Sequence, residues 1–163
     1  MLSRLFPKQI DNQFHGHWVA IWLLVPVVLG KIAMGTNSII NTRFVLASAD
    51  GIPIESYATA AGDVVVALFA LAGLFQLLLG LQGVLVLVRY RALIPFMYLL
   101  LLVQQAGAKA ILLAHPIVRT GVPTSQLGSA FVYAILALTV IGLVMSLVNR
   151  SDTRARAVVE ASH

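Results

Sequence analysis

Residues 57–88 read YATAAGDVVVALFALAGLFQLLLGLQGVLVLV, and after Asp63 no charged side chain appears until Arg89. A helix rises about 1.5 Å per residue, so about 20 apolar residues cross the ~30 Å hydrocarbon layer of a bilayer. This stretch is longer than that. Counted back from Arg89, Tyr57 lies about 48 Å away along an untilted helix, so the helix must tilt or protrude. Three further apolar stretches have span length: Trp18–Ile40, Ala92–Ala114 and Leu127–Val148. The chain therefore reads as an all-α integral membrane protein, a four-transmembrane-helix bundle.

Composition leaves room for little else. Of 163 residues 60% are hydrophobic and 10% charged, and mean hydropathy is +0.93. One membrane domain, residues 17–149, is expected. Residues 1–16 space Leu2, Leu5, Phe6, Ile10 and Phe14 at roughly helical intervals among Arg4, Lys8 and Asp11. That pattern suits a short amphipathic segment lying in the interface. Residues 150–163 form a basic tail. The first apolar segment is of span length with no small-residue cleavage site close behind it, so a retained anchor is expected rather than a signal peptide.

The formal charge of +5 sets orientation rather than marking a nucleic-acid binder. Arg4 and Lys8 precede the first span, Arg89 and Arg91 separate the second and third, and Arg150, Arg154 and Arg156 follow the fourth. Arg43 and Arg119 alone mark the alternate loops. The positive-inside rule places both termini in the cytoplasm and those two loops outside. A bacterial inner membrane is the expected location. The very short Arg89-Tyr90-Arg91 connection makes the second and third helices antiparallel neighbours. Asp50-Gly51 favours a tight turn in the loop from Asn41 to Ser56.

Polar side chains inside the spans mark where a site would lie. Counting from the cytoplasmic boundary at about 1.5 Å per residue, Lys31 lies near ~21 Å and Gln76, Gln104 and Gln105 near ~20 Å. Lys109 follows near ~27 Å, then His115 and Asp63 at roughly 36 and 39 Å. Three helices thus bring polar groups to one level, and a polar column opens outward from it. On the second helix Gly62, Phe69, Gly73, Gln76, Gly80 and Gly83 recur at helical steps as a seam of mainly small residues, which lets backbones approach in lipid. On the third, Tyr98, Leu102, Gln105 and Lys109 share a face. On the first, Lys31, Ser38 and Asn41 do so. Leu23-Leu24-Val25 ahead of Lys31 matches Leu101-Leu102-Val103 ahead of Lys109, a faint internal echo.

Each polar residue has a plain structural reading. Lysines near helix ends snorkel to headgroups. Asp63 at an interface is solvated or pairs locally. Glutamines bond neighbouring helices for around 0.6 kcal/mol each. Yet each ionisable group in the membrane costs at least ~2.5 kcal/mol, so such groups usually face the bundle interior or a cavity. The candidate ligand-binding set is Lys31, Gln76, Tyr98, Gln104, Gln105 and Lys109, with Asp63, His115, Arg43 and Arg119 at the outer mouth. Lysines outnumber acids there, which fits an anionic headgroup or a carbonyl-bearing lipophile better than a cation.

Several chemistries are excluded. Without cysteine there is no disulfide exchange, thiol nucleophile or cysteine-ligated metal. No HExxH pair, clustered histidines, Walker loop or dinucleotide fingerprint appears, so neither a metal nor a cofactor is expected. Three functions remain in view. The first is an accessory or interaction subunit of a larger membrane assembly, partnered by membrane lipids and by other transmembrane subunits or copies of itself. The second is a binding or transport protein for an amphipathic anion or lipid. The third is an intramembrane lipid-modifying enzyme with Lys31 as its base.

Overall fold

In a computed structural model the four spans are four long helices, and every regular element among the described residues is helical. The described residues are 16–48, 51–116 and 126–148, together with Leu5, Asn12 and Phe14. Most of the expected interfacial segment, the basic tail and Arg119 lie outside them. Helix α1 is Val19–Ile40, the short α2 is Thr42–Ser48, α3 is Thr59–Val88, α4 is Ile94–Ala114 and α5 is Gln126–Leu147. Each of the four long helices is apolar and long enough to cross a membrane.

Two departures from the sequence reading concern the loop from Asn41 to Ser56. Thr42–Ser48 is helical, and Ile54–Ser56 forms one 3-10 turn. Thr42 Oγ1 donates to the carbonyls of Ser38 and Ile39 at 2.7 and 3.0 Å, so the helical path resumes almost at once. Gly51 carries the turn with φ 63°, the left-handed region where a side chain would be strained. The other departure is Asn41, which is exposed and whose side-chain amide donates to Asn37 Oδ1 one turn back at 2.8 Å. It does not share the buried face of Lys31 and Ser38.

Helix α1 is the centre of the bundle. It packs most extensively on α3, next on α5, while α4 packs chiefly on α5. The α1–α3 contact is built from glycine. A Cβ on Gly35 would stand 2.6 Å from the Leu77 amide and 2.8 Å from the Gly73 carbonyl, so only hydrogen fits between these backbones. Gly73 lies against Ser38, Gly80 against Ile32 and Gly83 against Val28. Without a hydrophobic drive between helices in lipid, such close van der Waals contact is the main attraction. The α3 seam is thus the buried side: Gly62, Gly73, Gly80, Gly83 and Val86. Helix α1 runs unbroken through Pro26 and turns Gly30 toward Ile135 and Phe131 of α5.

One core cluster holds the bundle together: Ala20, Leu24, Val27, Val28, Val86, Ile94, Met97, Tyr98, Leu101 and Ile135. All but Ile135 belong to the half nearer Arg89, here called the Arg89 end. Toward the opposite, His115 end the packing loosens. Residues 108–116 of α4 and its terminus are exposed on every side, as are residues 130–134 of α5. There α1 and α3 stay paired, and a small cluster of Leu46, Ile52 and Ile54 caps α3 around Val65, Val66 and Phe69.

Candidate functional site

Lys31 sits where the closed half meets the open one. Only 5% of it is exposed. Its ammonium donates to Gln76 Oε1 of α3 at 3.1 Å and to Gln104 Oε1 of α4 at 2.7 Å. Gly80 explains the first reach: with hydrogen as its side chain, it lets the stem of Lys31 pass across α3 toward Gln76 one turn further on. The second bond is the described polar link that holds α4 to α1 and α3 at this level.

Chemistry dictates what the glutamines then present. An ammonium has three donors and no acceptor, so both amides must turn oxygen toward it. Both amide NH2 groups therefore face away from Lys31. Neither donates a hydrogen bond to any described residue, and Lys31 keeps a third N–H beyond the two it uses. No buried polar atom among the described residues lacks a partner, so these NH2 groups reach the surface of the bundle. The result is one positive charge held by two amide oxygens, with a third N–H unused among the described residues. Among the described residues the acids are Glu55 and Asp63. Asp63 lies about 20 Å from Gln76 along α3 at 1.5 Å per residue. No carboxylate among the described residues neutralises Lys31.

The remaining candidates are divided between two other places. Tyr98, Gln105 and Lys109 do share a face, and that face is directed at α5 rather than at Lys31. The Tyr98 ring lies against Gly142, where a Cβ would collide with it, and its hydroxyl donates to the Ala20 carbonyl at 2.7 Å. Gln105 Nε2 donates to Thr139 Oγ1 at 3.2 Å, and that hydroxyl passes its own proton to the Ile135 carbonyl at 2.7 Å. Lys109 Nζ stands 5.1 Å from the Tyr133 ring centroid, a cation–π contact between exposed residues. These three positions are the α4–α5 seam. The echo between Lys31 and Lys109 stops at sequence, because one lysine is buried among amides and the other is exposed over an aromatic ring.

At the His115 end Arg43 and Asp63 form an ion pair at 2.6 Å, with side chains 66% and 59% exposed. Next to it an open pocket of about 450 Å³ is lined by Arg43, Ala47, Ile52, Pro53, Glu55 and Ser56 among others. His115 is exposed beyond the end of α4. Sequence reading missed Thr139 and Gly142. A threonine well inside an apolar span is the signal that could have found the first, since it must bond within the membrane. Comparison with known proteins adds no function: no protein-family model, no curated protein and no solved structure matches the chain.

Proposed function

We propose that this protein holds the oxygen-bearing end of an amphipathic anion or lipid at Lys31, Gln76 and Gln104. One observation carries the reading: a buried cation on α1 is met by amide oxygens from α3 and α4 with no acid among them. Lys31 keeps one N–H and a positive charge that no carboxylate among the described residues offsets, so what completes the site is an acceptor, best a negative one. Charge-assisted bonds of this kind are about twice as strong as neutral ones. The end of the bundle that carries Arg43, Asp63 and His115 lies outside the cell by the distribution of basic residues.

Native mass spectrometry of protein extracted gently from its own membrane tests this. Wild-type protein carries a reproducible small-molecule mass, and Lys31→Met folds as wild type but loses it. An unchanged adduct in Lys31→Met overturns the proposal. A second reading is favoured by the exposure of 108–116 and 130–134 on all sides: an accessory subunit whose α4 and α5 pack on another transmembrane protein. A stoichiometric protein released together with the chain, in place of a small molecule, would establish that role.

A further inference from the structure

We infer that the occupant of the Lys31 site is a long-chain carboxylic acid that enters from the lipid, sideways between α3 and α4. This rests on the binding role proposed for Lys31, Gln76 and Gln104, and adds both the class of ligand and its route.

The route follows from packing. Helices α3 and α4 share few backbone contacts despite their tight connection at Arg89–Arg91. Met97 meets Gly83 near that connection, and at the level of the glutamines the link is Lys31 itself. One turn toward the His115 end the flanking residues are Ala72 and Ala108, both small and both exposed. Phe75 and Val103, beside the two glutamines in sequence, are 63% and 60% exposed. At this depth an exposed apolar side chain faces acyl chains, so the N–H donors lie at the base of a gap whose rim is lipid. A chain attached to the ligand can stay in that lipid while its head turns inward.

The class follows from charge and size. A zwitterionic headgroup would bring a second ammonium beside that of Lys31, with no acid among the described residues around to offset it. A phosphate must carry its charge through hydrocarbon to reach a site some 15 Å below the end of α4, counted as ten residues at 1.5 Å. A carboxylic acid makes that passage uncharged, because desolvation favours its protonated form. Once beside Lys31, a carboxyl oxygen can accept a hydrogen bond from the third ammonium N–H.

The test reconstitutes the full chain in phosphatidylcholine nanodiscs containing oleic acid, phosphatidic acid, phosphatidylethanolamine or a neutral long-chain ketone, and reads retained ligand by native mass spectrometry. Butyrate and inorganic phosphate in the buffer provide the water-borne arm. Oleate is retained selectively by wild type. Gln104→Glu keeps a hydrogen bond to Lys31 but fills the site with its own carboxylate, and lowers oleate retention about tenfold or more. Its melting temperature stays at or above that of wild type, which separates lost binding from lost folding. Ala72→Trp with Ala108→Trp blocks the gap and excludes oleate. Retention of butyrate or phosphate, lost in Gln104→Glu and indifferent to the tryptophans, overturns the lipid route while the binding role stands. Preference for phosphatidic acid or the ketone overturns the carboxylic class alone. If Gln104→Glu and Lys31→Met both leave every ligand unaffected, the binding role and this inference fall together.

Discussion

The two halves of the bundle are built from the same apolar residues and pack very differently. At the Arg89 end, Leu24, Val27, Met97, Tyr98 and Leu101 are all buried in one cluster. At the His115 end, Ile111, Leu112 and Leu113 of α4 are exposed together with Phe131 and Tyr133 of α5. In water that contrast would be an error of folding. In lipid it is not, because hydrocarbon tails are as apolar as leucine and burial by itself gives little. What separates the halves is shape. A glycine in contact or a specific hydrogen bond is found where helices close; where they part, Gly107 meets nothing.

Substitutions can break that comparison. The largest effect is expected at Gly35→Leu, which drives a side chain into the backbone of α3 and destabilises by about 3 kcal/mol. Thermal unfolding in detergent measures it. Lys31→Met should go the other way. It removes a cation whose insertion costs at least ~2.5 kcal/mol and loses two bonds worth around 0.6 kcal/mol each, a net gain of about 1 kcal/mol. A lower melting temperature for this variant would mean that Lys31 is kept for stability rather than for a ligand. Tyr98→Phe loses the bond to Ala20 and should cost about 0.6 kcal/mol, with α4 still seated on Gly142. Asp63→Asn breaks an exposed ion pair worth a few tenths of a kcal/mol, and raising salt should erase the difference between variant and wild type. The smallest effect is the sharpest control. A Cβ at Gly107 meets nothing within 4 Å, so Gly107→Leu should leave unfolding unchanged where Gly35→Leu does not.

Much of this was legible in the chain, for reasons that are one-dimensional. Span length and basic residues count residues along a line, and so does depth. Counting alone set Lys31, Gln76 and Gln104 at one height, where two hydrogen bonds now join them. The glycine seam of α3 was legible too, because helical spacing puts its members on one side. Azimuth was not. Gln104 and Gln105 are adjacent, about 100° apart around the helix, and height cannot say which meets Lys31. That depends on α4 leaning on α5 rather than α3, a choice made by Gly142 under the ring of Tyr98. Proximity in sequence across Arg89-Tyr90-Arg91 pointed the other way, since a tight connection makes two helices neighbours without making them pack.

The central position of α1 also dictates an order of assembly. Its glycine contact with α3 can form as soon as the first two spans have been synthesised, giving a hairpin that is complete on its own seam. Helix α4 has no such seam and waits for α5, which must return to the first helix. There His17 donates its amide to the Met145 carbonyl at 3.2 Å, joining the two ends of the described chain. The fourth span is therefore the clasp of the bundle. A chain interrupted after His115 would leave a sealed pair of helices and a third tied to it by the hydrogen bonds of Tyr98 and Gln104, without the seat that Gly142 gives the tyrosine ring.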